Sequence, residues 1–190
     1  MIDRKHFFDS VRKSLFNGTL SQQQVDGMSY LLDVWEELFA DKDIRWLAYA
    51  MATVFHETAQ TMRPIEEYGQ GAGMPYGEPA GPNYQVYYGR GHVQLTWEDN
   101  YQKGEQFLAE RYGIVVPMYK YPHRMLEDEP SALVLYDGMI HGWFTGVGLP
   151  QFFNEDTEDP YNARKIVNAL DKADVIEGYY HKFKPALTVE

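Results

Sequence analysis

Glu57 closes a run in which an ionised carboxyl is poorly accommodated. From Trp46 to Phe55 nearly every side chain is apolar, so a helix here is apolar on almost all sides and belongs in a core. At the C-terminal end of that run, apolar surroundings and the negative end of the helix dipole both disfavour ionisation of Glu57. No Lys or Arg lies between Arg45 and Arg63, so no basic partner stands one helical turn away. Beyond Pro64, which cannot continue a helix, Glu66 and Glu67 follow in a stretch rich in glycine and tyrosine. A carboxyl kept neutral and another kept ionised are the two halves of acid and base catalysis. In an extended chain Glu66 and Glu67 point to opposite sides. If Ile65 faces the core, Glu67 shares its side and Glu66 faces a groove.

Other chemistries fit less well. His56-Glu57 opens the zinc-protease pattern H-E-x-x-H, but position 60 is Gln60, so the second ligand is missing and no metal site is expected. His56 then reads as a core or supporting hydrogen-bonding residue. There is no G-x-S-x-G, and Ser10, Ser14, Ser21 and Ser29 all precede the central helix, which argues against a serine nucleophile. In Tyr87 to Tyr101, YYGRGHVQLTWEDNY, Gly89 and Gly91 flank Arg90 and permit close backbone approach, and Gln94, Thr96 and Asn100 place polar groups among apolar ones. Thr96 and Asp99 have the spacing of a capping box. A capping hydroxyl at a loop-to-helix junction can still face a bound water.

The elements that must hold these residues are mostly helices. Phe7, Phe8, Val11, Leu15 and Phe16 recur at helical spacing within residues 3–17, with Asn17-Gly18 as a stop. Ser21 and Gln24 form a capping box for a second helix reaching about Phe39. The central helix is expected from about Ile44 to Thr61. Six Gly and four Pro among residues 64–90 predict a long irregular lobe with at most short strands. Further helices are expected over Trp97–Tyr112, from Glu129-Pro130 to about Phe144, from Asp159-Pro160 to about Leu170, and over Ala173–Leu187. The expected architecture is mainly α, an α+β domain of about seven helices, with a small irregular or β lobe flanking a substrate cleft.

Composition narrows the function classes. At 190 residues, the chain suffices for one domain with a sizeable core, and a single domain over 1–190 is expected. Hydrophobic residues make up 44% and charged residues 24%, a globular balance. The formal net charge of -11 argues against nucleic acid and against adhesion to anionic membranes. No run approaches the ~20 apolar residues of a membrane span, and MIDRKHFFDSVRK lacks the apolar core of a secretory signal. Cytoplasmic synthesis is therefore expected. With no cysteine, disulfide frameworks and thiolate chemistry drop out. Fifteen Tyr and four Trp offer stacking surfaces for flat ligands such as sugar rings, beyond those the core takes.

HETAQTM, YYGRGHVQLTW with Asn100-Tyr101, GWFTG (Gly142 to Gly146) and ARKIVN (Ala163 to Asn168) resemble the glycoside hydrolase family 19 group of chitinases and endolysins. The matching blocks spread from about Trp46 to Leu187. The resemblance implies a lysozyme-like, α-rich fold and inverting hydrolysis of β-1,4 bonds in polymers containing N-acetylglucosamine. Carried onto this chain, the Glu of HET, Glu57, is the general acid. The base of the compact members falls nine residues later, at Glu66. Thr96 stands where a Ser or Thr helps hold the attacking water, with Asn100 nearby. Tyr87, Arg90 and Gln94 match positions that line or brace the cleft, and Asn168 matches the Asn of a late I-N-G-G motif. His92 departs from the usual Pro of GRGP, Ala169-Leu170 from the Gly-Gly after Asn168, and the disulfides of the plant enzymes cannot form.

The chemistry this implies needs no cofactor or metal. A protonated Glu57 gives its proton to the glycosidic oxygen while ionised Glu66 draws one from water on the opposite face. Inversion expects the carboxyl groups about 6.5–9.5 Å apart. The expected partner is a polysaccharide, peptidoglycan first and chitin second, cut at the cell wall by a monomer after release or export. A non-catalytic sugar-binding or structural phage module is the rival from another class.

Overall fold

The computed structural model describes residues 1–188. Its contacts group into two compact units, residues 1–62 with the chain from 136 onward, and residues 63–135.

The first unit is helical. In α1 (Arg4–Ser14), Asp3 caps the N-terminus by accepting from the His6 amide, and Phe7 and Val11 are buried. The chain leaves α1 through Asn17 and Gly18, at φ 53° and 90°. α2 (Gln22–Leu38) opens on the predicted capping box, with Ser21 and Gln24 each satisfying the other's backbone amide. α3 (Ile44–Glu57) is capped by Asp43 and buries every residue from Leu47 to Phe55, as its near-continuous apolar sequence requires. It ends earlier than Thr61. Ala59, Gln60 and Met62 all have positive φ, and the Thr58 hydroxyl donates to the Val54 carbonyl while accepting from the Met62 amide. Glu57 is thereby the last helical residue, at the carbonyl-rich end.

The C-terminal helix of this unit, numbered α6 in chain order (Ala173–Leu187), packs against α3 and α1. Phe55 meets Tyr179 edge-on at 4.7 Å, and Phe183 lies between Phe55 and Phe7 at 6.0 and 6.4 Å. Burying each such ring contributes about 1.5–3 kcal/mol. The helix expected from Asp159 to Leu170 is only a short 3-10 turn, Asn162–Ile166. Asp159 accepts from the backbone and side-chain amides of Asn162 at its start. The chain then folds back so that the Arg164 Nε donates to the Asp171 carbonyl at 2.9 Å.

The second unit holds the glycine-rich stretch. β1 (Ile65–Glu66) pairs antiparallel with β2 (Arg90–Gly91), with Ile65 opposite Gly91 and Glu66 opposite Arg90. A 3-10 turn, Pro75–Gly77, lies between them. Gly91 has φ +89°, and a Cβ there would sit 2.8 Å from the Ser131 hydroxyl, so only glycine fits. α4 (Glu98–Tyr112) stops at Gly113 in the left-handed region. A 3-10 turn, Pro122–Leu126, leads into α5 (Asp128–His141), inside which the boundary between the units falls. α5 stops at His141, short of Phe144, because Gly142 turns the chain at φ 71°.

Six α-helices, four 3-10 turns and one two-stranded sheet among the described residues make the mainly α architecture that the periodicity predicts. The difference from about seven helices lies in the 159–170 segment.

Candidate active site

Glu57 is paired. Arg164 Nη1 donates to its Oε1 at 2.7 Å, and the two side chains are 4% and 17% exposed, for Arg164 and Glu57 respectively. This overturns the expectation of a carboxyl without a basic partner. The local argument was sound for one helical turn, but the partner comes from 107 residues along the chain. The guanidinium fixes the orientation of the Glu57 carboxyl, which is therefore not surrounded by apolar walls alone. Beneath the pair, burial raises the Tyr49 hydroxyl above its ordinary pKa, an effect that the nearby Arg164 charge opposes. Tyr49 therefore stays neutral.

His56 is half-buried, its ring 6.4 Å from that of Tyr179 on α6. Asn168 is exposed, and its backbone amide donates to the Arg164 carbonyl at 3.0 Å, so it follows the turn that presents Arg164. Its side-chain oxygen accepts from the Ala169 amide at 2.8 Å.

In the second unit the two strands bring Glu66 beside Arg90. Glu66 Oε1 accepts from the Tyr88 hydroxyl at 2.8 Å and lies 3.5 Å from Arg90 Nε. Arg90 is buried, its guanidinium 3.5 Å over the Tyr88 ring, and it donates to the Val86 carbonyl and the Tyr101 hydroxyl. It braces the loop from within. Glu67 takes different partners: Oε1 accepts from the Tyr76 hydroxyl at 3.2 Å, and Oε2 accepts from the Gly89 amide at 3.1 Å. Burial, then the Glu67 charge, raises the Tyr76 pKa, which keeps that hydroxyl a donor.

Gln94 sits at φ 53° and donates to the carbonyls of Ile65 and Gly91, tying the loop after β2 to β1. The Thr96 hydroxyl donates to the Gln94 carbonyl at 2.8 Å, and Asn100 Nδ2 donates to the Thr96 carbonyl at 2.8 Å. The expected capping box of Thr96 and Asp99 does not form. Trp97 is the N-cap of α4 and makes no side-chain cap, because its positive φ turns the chain one residue too late for Thr96 to serve. Tyr87 is buried, with its hydroxyl donating to the Tyr119 carbonyl at 2.8 Å.

Tyr87 also lines an open pocket of about 260 Å³ together with Tyr76, Trp97, Glu78 and Asp99. Trp97 is 50% exposed and meets Tyr76 edge-on at 5.2 Å. Its backbone, at φ 76° and ψ 139°, is in a region that non-glycine residues rarely adopt and that costs on the order of 1–3 kcal/mol. A strained backbone that displays an indole to solvent is suited to stacking on a flat face. Sequence reasoning missed Arg164, Tyr76 and Trp97 as site residues. Arg164 and Trp97 lie inside the quoted blocks ARKIVN and YYGRGHVQLTW, and that was the available signal; Tyr76 had only its place in the glycine-rich lobe.

No family model matches the sequence. No curated protein matches it either. The similarity is structural: the chain has the fold of the family 19 chitinases, a lysozyme-like, mainly helical architecture. Against chitinase C from Streptomyces griseus HUT6037 it shows 20% identity and a TM-score of 0.50, covering 96% of this chain and 73% of that one. Against a bacterial family 19 chitinase, described as differing from plant enzymes, it shows 22% identity and a TM-score of 0.51, covering 100% and 96%.

Proposed function

We propose that this protein is an endo-acting glycoside hydrolase that cleaves β-1,4 bonds of peptidoglycan by inverting acid and base catalysis. The observation that carries the reading is a carboxyl at the end of a buried helix, Glu57, together with Glu66 on the short sheet and Glu67 directly after it, in a family 19 chitinase fold. Glu57 is the acid, and the charged partner Arg164 sets its orientation. As the acid it delivers a proton to the glycosidic oxygen. The base comes from the Glu66–Glu67 pair, the nine-residue count from Glu57 naming Glu66. Thr96, with Asn100 behind it, helps hold the attacking water. Tyr87, Arg90, Gln94, Asn168 and His56 shape or brace the saccharide site, and exposed Trp97 stacks on a sugar ring.

The reaction needs no cofactor: one water adds across the glycosidic bond, and the proton lost at the base returns through solvent. The reading places a monomer at the cell wall, acting on a polysaccharide. Chitin is the second reading. It is favoured by the names of the structural relatives and by the net charge of -11, which suits an uncharged polymer better than an anionic wall. Turbidity loss of purified peptidoglycan, measured beside product release from chitin oligomers, separates the two. Activity on chitin alone rejects the wall-lytic reading; activity on neither rejects the glycosidase reading. Product anomers followed by NMR directly after cleavage are expected to be inverted, and retention would rule out the mechanism.

A further inference from the structure

The block GWFTG, Gly142 to Gly146, contributes no residue to the proposed chemistry, yet it is built with care. It follows α5, where Gly142 turns the chain at φ 71° and the Gly146 amide closes the turn on the Gly142 carbonyl at 2.9 Å. Phe144 clamps this turn to the helix. A Cβ at Gly138 would sit 2.3 Å from the Phe144 ring Cζ, so the ring lies directly on helix backbone, where only glycine leaves room. The Trp143 amide donates to the Gly138 carbonyl at 3.0 Å, a second tie to the same stretch of α5. Thr145, at the tip of the turn, is therefore referenced to a helix rather than carried on a loose loop.

Thr145 reaches the segment that carries Arg164. Its hydroxyl donates to the Lys165 carbonyl at 2.6 Å and lies 3.1 Å from the Ile166 carbonyl oxygen, one proton shared between two acceptors. These are the last two carbonyls of the 3-10 turn Asn162–Ile166, and the end of such a turn has no amide of its own to offer them. A hydroxyl from 20 residues upstream thus closes the turn. Arg164 comes directly before these carbonyls, and donates to the Asp171 carbonyl through Nε at 2.9 Å and to Glu57 Oε1 through Nη1 at 2.7 Å. Its side chain is only 4% exposed, so a shift at the end of the turn passes to the guanidinium instead of being absorbed by solvent.

We infer that Thr145 is a positioning residue: through the GWFTG turn and this one hydroxyl, α5 sets the place of Arg164 and with it the direction of the Glu57 carboxyl. The effect on turnover rests on the glycosidase reading, whereas the link from Thr145 to Arg164 rests on geometry alone. Threonine suits the task, since its branched Cβ restricts the side chain to few rotamers and so fixes where the hydroxyl points. Serine keeps the donor with a freer side chain, and valine keeps the shape without the donor. The direction of Glu57 matters because a misplacement of about 1 Å, even one caused far from the chemistry, can cost about 10²-fold in rate.

The test uses the full chain on whichever of purified peptidoglycan or chitin oligomers it cleaves. Thr145→Val is expected to stay folded by circular dichroism, to keep its KM, and to lose between about 3-fold in kcat, one hydrogen bond, and about 10²-fold, one ångström of misplacement. Thr145→Ser should keep the kcat of the unaltered chain. In an Arg164→Lys background, which retains the charge but not the planar fork, Thr145→Val should cost nothing further, because both changes break one chain of contacts. Losses that multiply in the double variant, or an unchanged kcat in Thr145→Val, would overturn the inference. A readout that needs no turnover is the NMR signal of the Arg164 Nε–H, assigned by its loss in Arg164→Lys. It should shift in Thr145→Val and stay in place in Thr145→Ser; an unmoved signal in Thr145→Val counts against the link even if activity falls. Thr145→Ala takes the place of Thr145→Val should the latter not fold. If Glu57→Gln keeps full turnover, it is the glycosidase reading that falls, and the Nε–H signal still decides whether Thr145 holds Arg164.

Discussion

Glu57 and the Glu66–Glu67 pair are held in contrasting ways. In the helical unit, Glu57 is fixed by the end of α3 and by a guanidinium 107 residues away in sequence. In the glycine-rich unit, Glu66 and Glu67 find Tyr88 and Gly89 22 residues away, across a strand pair of two residues each. A rigid apolar helix can present a side chain but can surround it with few polar groups, so its charge partner has to be imported from another segment. A loop rich in glycine brings backbone amides, hydroxyls and a guanidinium to its carboxylates locally, at the cost of strained positions such as Gln94 and Trp97. The difference teaches that a functional carboxyl on a buried helix should be sought together with a distant Arg.

The strongest way to break this comparison is Glu57→Gln. It is expected to lower kcat by at least about 10²–10⁴-fold with little change in fold; unchanged turnover removes Glu57 from the chemistry. Arg164→Met comes next, because it leaves a mostly buried carboxylate unpaired. Loss of one partner of such a pair costs about 3–5 kcal/mol, read as a lower midpoint in urea. An unchanged midpoint would mean that the pair is ornamental.

His92 sharpens the contrast from the side of the glycine-rich unit. Fully buried and joined to the Ser131 hydroxyl through Nδ1 at 2.8 Å, it has its pKa pushed down to about 3, chiefly by desolvation. Between the ordinary value near 6.5 and that folded value, the unfolded chain binds a proton that the folded one refuses. Stability from this group is therefore present above about pH 6.5 and falls as the pH drops, by about 1.4 kcal/mol per unit. His92→Gln is expected to flatten that part of the stability–pH curve, measured by urea denaturation at pH 7, 5.5 and 4; an unaltered slope would contradict it. The smallest effect is expected at Trp97. Trp97→Gly should raise KM about 2–10-fold, the equivalent of the 0.5–1.5 kcal/mol of a stacking contact, while thermal stability holds or rises because glycine tolerates φ 76°. Lower stability together with an unchanged KM would make Trp97 a packing residue.

Much of this molecule is legible before any coordinate. The capping box at Ser21 and Gln24, the burial of Leu47 to Phe55 and the near-absence of strand in residues 64–90 follow from local rules, because caps, periodicity and glycine content act within a few residues. Local rules fail where a side chain's fate depends on another segment. Thr96 and Asp99 have the spacing of a cap, but the turn at Trp97 displaces the helix start. Residues 159–170 have helical punctuation, but the segment closes as a short 3-10 turn that delivers Arg164 to Glu57.

The sequence alone determined which residue types were present to do chemistry, the acid at the end of an apolar helix and two adjacent carboxylates beyond a proline, since side-chain chemistry and helix periodicity are local properties. Tertiary structure decided their partners: that Glu57 meets a buried Arg164, that Glu66 lies beside Arg90, and that Glu67 accepts from the Gly89 amide. The physical reason is range. Propensity and hydrophobic pattern act over a turn or a strand, whereas the environment that sets a carboxyl's charge is assembled by chain folding from segments that no local window contains.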